Sequence, residues 1–225
     1  MRAVAESMQA GARRRVHTHV VLLTNGIVAP LLGGLLKSVR RDLDVVHVPT
    51  LKALNALRPR LLRNARLIGF ATPVVVPPAV LDALGFGAYN FHPGPPSYPG
   101  WAPGRRALRD GATEFGATAH AMREQVDAGP IVGTEMFPVR CGITATELDD
   151  ETWIAMARLF RRLAFLLAAQ PAALPELASA WRAEKRTPGD LVAANDMPAH
   201  VASEALLRRI DALNHAFRLP PAAAA

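Results

Sequence analysis

Short apolar runs alternate with stretches of helical periodicity along most of this chain. The run His19-Val20-Val21-Leu22-Leu23, inside Thr18 to Thr24, is β-branched and apolar, ends at Asn25-Gly26, and gives way to a helical pattern from Val28 to Val39. A second strand is predicted at Leu43 to Val48, entering a helix-like stretch through Pro49-Thr50. A third, Arg66 to Ala71, leads through Pro77-Pro78 into a helix from Ala79 to Leu84, and a fourth is Gly87 to Phe91. Strands alternating with helices argue for a parallel sheet covered on both faces, because right-handed crossovers place the helices there. The expected class is α/β: a three-layer, Rossmann-like, mostly parallel sheet with helices on both faces.

A Pro- and Gly-rich loop from Pro93 to Gly104 precedes a short helix at Arg105 to Arg109 and two more strands, Gly116 to Met122 and Ile131 to Val139. Thr144, with Glu147 three residues on, has the pattern of a capping box and should open a helix reaching about Ala169. A further helix is expected from Ala202 to Ala216. The organisation expected is a flexible leader over 1–15, one main domain over 16–190, a helical extension over 191–218 and a disordered tail over 219–225.

Composition narrows the class. Half of the 225 residues are hydrophobic, enough for one sizeable core, and 20% are charged, with apolar runs interrupted by Gly, Pro or Arg. Neither wholesale disorder nor a membrane span fits. The single cysteine, Cys141, excludes an intramolecular disulfide and fits a reducing, cytoplasmic setting; without a local base it is expected to be an inert core thiol. The net charge of +7 comes mostly from scattered arginines, with lysine only at 37, 52 and 185, so a nucleic-acid-binding face is not expected. His17 and His19 alternate on the first strand without a neighbouring carboxylate or thiol in sequence, a poor metal set.

Candidate chemistry gathers at the fourth strand. Ligands of a parallel α/β sheet bind beyond the carboxyl ends of its strands, and Asn90 and His92 stand there two residues apart, on one side of an extended segment. An amide beside an imidazole suits acyl transfer: the amide can donate to a developing oxyanion while the imidazole supplies charge or exchanges a proton. Asp127, in Val126-Asp127-Ala128-Gly129-Pro130, is the candidate carboxylate to orient the imidazole. From these residues alone, a structural histidine beside a turn is an equal reading.

Four segments shift that balance: Gly87-Ala88-Tyr89-Asn90-Phe91-His92-Pro93-Gly94, Tyr98-Pro99-Gly100, Gly116-Ala117-Thr118-Ala119-His120-Ala121-Met122, and Asp127-Ala128-Gly129-Pro130-Ile131-Val132. In order, spacing and residue type they resemble the folate-dependent formyltransferase family over roughly Arg66 to Val139. The resemblance implies a formyltransferase-type fold, with 10-formyltetrahydrofolate as formyl donor, no metal, and a small-molecule amine as acceptor. It implies that Asn90 holds the formyl oxygen, that a largely protonated His92 stabilises the same charge, and that Asp127 pairs with His92. It also implies a pterin slot made by Phe70, Ala71, Thr72, Val74, Val75 and Val76 together with Glu124, Gln125, Val126 and Gly129.

Thr118 is expected to steady the site through its hydroxyl, His120 to serve a structural hydrogen bond, Trp101 to pack the loop or shield an acceptor, and Arg105 with Arg106 to form a solvated face or meet an anionic acceptor. The chain departs from the family in Gly94-Pro95-Pro96-Ser97 and at Pro99, which points to an unusual acceptor pocket. Relatives acting on tRNA carry a substantial domain after the catalytic one, and hydrolases of the same donor carry a regulatory domain before it. The short flanks here favour transfer to an amino sugar, amino acid or related metabolite over hydrolysis, and a noncatalytic folate-binding protein is the alternative of another class.

Overall fold

The computed structural model describes residues 15–182 and Phe217. Six strands form one sheet in the order β2-β1-β3-β4-β5-β6, with β1 at His19–Leu23, β2 at Asp44–Val48, β3 at Ala65–Phe70, β4 at Ala88–His92, β5 at Glu114–Ala121 and β6 at Ile131–Pro138. The pairs β1–β2, β1–β3 and β3–β4 are parallel, whereas β4–β5 and β5–β6 are antiparallel. The mostly parallel α/β sheet expected from the sequence is the observed one, and its helices lie on both faces.

Alternation along the strands sorts the side chains into two cores. Val20, Leu22, Ile68, Phe70, Tyr89 and Phe91 point to the face covered by α1 (Ala29–Val39) and α6 (Ala145–Ala169). Val21, Leu23, Leu67 and Ala88 point to the other face, covered by the short helices α2 (Leu51–Asn55), α3 (Pro59–Leu62) and α4 (Pro78–Ala83). Beneath β4 and β5 that second face has loops instead of a helix. Helix α5 (Pro103–Arg109) packs with Tyr98, Phe115 and Leu148 in a smaller cluster.

The predicted elements appear with shifts of one or two residues at most ends. Helices α4 and α5 start on Pro78 and Pro103, since proline's fixed φ and missing N–H suit a first turn. Thr144 and Glu147 form the capping box in full. The predicted helix at Ala202 to Ala216, the tail and the leader up to position 14 lie outside the described residues, as does 191–218 apart from Phe217.

Candidate active site

Strand β4 ends one residue later than the sequence suggests. His92 pairs with Thr118 and Asn90 with His120 across the antiparallel ladder, so both candidates stand within the strand, on the loop-covered part of the second face. The site therefore lies against the sheet face as well as at its carboxyl edge. The loop between β5 and β6 folds back over this face. Gly129 makes that path possible, because a Cβ there would sit 1.8 Å from the carbonyl oxygen of Ala121.

The fold brings Asp127 between two histidines. Its Oδ2 is 3.4 Å from His92 Nδ1 and its Oδ1 is 3.2 Å from His120 Nε2. The backbone N–H of Gly100 donates to Oδ2 at 2.8 Å, tying the β4–α5 loop to the same carboxylate. All three ionisable side chains are buried, with no more than 4% exposed. Burial alone would raise the Asp127 carboxyl, but the His120 hydrogen bond, the His92 ring and the Gly100 N–H hold it well below the usual carboxylate range.

His92 departs from the expectation of a largely protonated imidazole. Its Nε2 faces the Tyr98 carbonyl at 3.1 Å while Nδ1 faces Asp127, and both acceptors favour the charged ring. Complete burial outweighs them and lowers its pKa below the ordinary value. The resting ring is thus neutral at neutral pH yet surrounded by acceptors, and it gains a proton most readily when negative charge arrives beside it.

Asn90 presents an amide with unlike ends. Its Nδ2 lies 3.3 Å from His120 Nε2, and its Oδ1 is buried with no hydrogen-bond partner, an acceptor waiting for a donor. Leaving such an atom unsatisfied costs about 1–3 kcal/mol, a pattern met where a ligand completes the bonding. Asn90, His92, His120 and Asp127 share a cavity of about 640 Å³ with Thr72, Val74, Val75, Val76, Gln125 and Val126. Ala71 also lines it and adopts a left-handed φ of 45°, which turns the chain sharply out of β3. Its walls are mainly apolar, as suits a flat heteroaromatic ring held by few polar groups.

Other candidates take different places. Trp101 lines the cavity on the β4–α5 loop with Pro93, Gly100, Ala102 and Pro103. Phe70 is in the core against Phe91, Trp153 and Phe160, and Glu124 and Gly129 are not among the lining residues. Thr118 donates its hydroxyl to the Gly94 carbonyl at 2.7 Å and so braces the loop from behind. Arg105 is exposed and away from the cavity, while Arg106 lies over the Tyr98 ring and donates to Ser97. His120, read as structural, faces the cavity and touches both Asn90 and Asp127. Cys141 is exposed on the turn before α6 instead of buried in the core.

Sequence reasoning missed Trp181. It follows α6 in a stretch without periodicity, where a lone tryptophan carries no signal; only tertiary packing sets it beside the histidines. Among the described residues no three His, Cys, Asp or Glu side chains are grouped as a metal would require.

Fold and site together define a three-layer α/β protein with an amide, two imidazoles and a carboxylate converging in one apolar cavity. Every described cavity-lining residue falls between Ala71 and Asp127, and residues 68–160 match the model of the family described as Formyl transferase. Over that stretch the chain is similar to this family. It is 32% identical over 148 residues to the methionyl-tRNA formyltransferase of Xylella fastidiosa (strain M12), a match covering 64% of this chain and 48% of the relative. The chain spans about half the length, or less, of the curated relatives it matches.

Solved structures share the fold across more of the chain. A 4-N formyltransferase from Francisella tularensis superposes with a TM-score of 0.64 at 16% identity, covering 92% of this chain and 90% of that one. A formyltransferase from Anoxybacillus kamchatkensis, solved in complex with UDP-4,6-dideoxy-4-formamido-L-AltNAc and tetrahydrofolate, gives a TM-score of 0.61 at 16% identity over 87% and 96% of the two chains.

Proposed function

We propose that this protein transfers a formyl group from 10-formyltetrahydrofolate to the amine of a small-molecule acceptor. The observation that carries this reading is Asp127 set between His92 and His120, beside an Asn90 amide whose one end is unpartnered, within a single cavity. The small-molecule acceptor is supported by the complex of the Anoxybacillus kamchatkensis neighbour and by the enclosed setting of the carboxylate and histidines. The exposed, unpaired Cys141 suits a reducing cytoplasm, and no helix among the described residues is long and apolar enough to cross a membrane.

The bound donor supplies an electrophilic N-formyl carbon. The backbone turn at Ala71 and the apolar wall of Val74 to Val76 hold its ring system, Asn90 meets the formyl oxygen with an N–H of its Nδ2, and its unpartnered Oδ1 accepts from the attacking amine's N–H. Attack by a neutral amine puts negative charge on that oxygen, and the change favours protonation of His92, which burial has kept neutral until then. The proton that His92 takes is the one the amine loses, and Asp127, ionised and hydrogen-bonded, stabilises the resulting imidazolium. That proton leaves with the folate nitrogen, so the cycle ends with no net change in the site's protonation.

The test is release of deformylated product from a stable 10-formyl folate analogue, with and without a pool of amines. We expect release that requires an amine and falls roughly 10²- to 10³-fold in Asn90→Ala, the usual loss for one oxyanion donor. Release without amine would assign hydrolysis instead. Analogue binding without release under either condition would assign a binding protein.

A further inference from the structure

The segment after α6 returns across the loop-covered face of the sheet. Leu177 N–H donates to the Ile131 carbonyl at 2.7 Å and Arg182 N–H to the Pro96 carbonyl at 3.1 Å, so the strap is fixed to β6 on one side and to the β4–α5 loop on the other. Between these anchors stands Trp181, half-buried. Its indole N–H donates to the Gly129 carbonyl at 2.9 Å, two residues from Asp127. Its ring meets His120 at 5.0 Å and 90°, and His92 at 5.8 Å and 76°. Trp181 is not among the described residues that line the cavity, whereas both histidines are.

We propose that Trp181 is a positioning residue for the proposed reaction: it presses both imidazoles toward Asp127, shuts water out behind them, and makes the strap after α6 part of the catalytic apparatus. The geometry is hard to account for as general packing. One side chain meets both histidines nearly edge-on, the arrangement that aromatic quadrupoles favour, while its only polar atom grips the loop that carries Asp127. Without it, His92 and His120 would be open to solvent on a second side, and water would compete for the Asp127 oxygens.

His92 supplies a readout independent of the reaction's identity. The groups facing it are Asp127 and His120 from β5 and its following loop, the Tyr98 carbonyl from the β4–α5 loop, and the more distant Arg106 on α5. Trp181 adds no charge, so removing it changes the hydration and placement of the rings while leaving the surrounding charges as they are. Because burial holds His92 below its ordinary value, water admitted behind the ring moves its titration upward.

The experiment is a histidine-ring NMR titration of the unliganded full chain, with pH–rate profiles of formyl release measured in parallel. In Trp181→Ala the His92 midpoint should rise toward the ordinary imidazole value of about 6.5, and the acid limb of kcat/KM should move the same way. The value of kcat should fall roughly 10- to 100-fold from misplacement, with the donor KM altered by less than roughly threefold. Trp181→Phe, which keeps an aromatic ring, should shift His92 less than half as far. An unmoved His92 midpoint in folded Trp181→Ala, or an equal shift in Trp181→Phe, overturns the proposal; should the alanine variant fail to fold, Trp181→Leu is read in its place. A wild type that shows the titration response but no formyl release would refute the functional reading and leave the clamp standing.

Discussion

Asp127 holds a backbone conformation that few side chains accept, with φ of 44°, and an aspartate tolerates it better than a bulky or β-branched residue. The turn is what lets one carboxylate reach two histidines and a backbone N–H at once. Asp127→Asn keeps the shape and one acceptor for the Gly100 N–H but removes the charge. Since that charge raises the His92 pKa, its loss lowers it further. We therefore expect the acid limb of the pH–rate profile to move to lower pH, together with a loss of activity of roughly 10²-fold. A profile that keeps its acid limb would separate Asp127 from His92.

Among the elements, β4 and α6 do most to place the site. Helix α6 is closed at its start by the Thr144–Glu147 box and at its end by a buried arginine: Arg66, from β3, donates to the carbonyls of Leu166, Leu167 and Ala172, and also to Phe86. The two ends should answer mutation unequally. Thr144→Ala removes a solvent-exposed cap and should cost about 1 kcal/mol. Arg66→Leu strips four carbonyls, two in the last turn of α6 and one just beyond it, of their charged donor and should cost at least about 3 kcal/mol. Urea denaturation of the two variants compares them, and equal losses would mean that Arg66 merely fills space. The contrast also marks how far the sequence could be read. Period, proline placement and the capping pattern identify nearly every described element, because those signals are local. Arg66 looks like an exposed strand edge, His120 like one more alternating polar residue and Trp181 like a loop tryptophan. Each takes its role from partners between 7 and 106 residues away in sequence, such as Asp127 for His120 and Ala172 for Arg66, and no local pattern registers that. Asn90, His92 and Asp127 were legible through the resemblance and the spacing of their motifs, whereas the bridge from Asp127 to a second histidine was not.

At the scale of the whole molecule, acid stability depends on groups far apart in the structure. His17 is buried just before β1, its ring tilted against Phe86; burial, then Arg66 and Arg40, lowers its pKa to about 4 against the opposing pull of the Leu167 and Ala168 backbone. The unfolded chain binds a proton at about 6.5, so between these values it holds more protons than the native state, and stability falls as pH drops through that window. Asp127, held below its ordinary range, withdraws a further share at lower pH as it protonates. His17→Phe should flatten the dependence between about pH 6.5 and 4, measured as the urea midpoint against pH; an unchanged slope would place the titrating group elsewhere.

Among the described residues the cavity lining comes from one contiguous stretch, Ala71 to Asp127, and β1, α1, β2 and β3 contribute none of it. Substitutions in β1, α1 and β2 therefore reach the lining only through the packing of the sheet, and those that leave the sheet intact should leave donor binding unchanged.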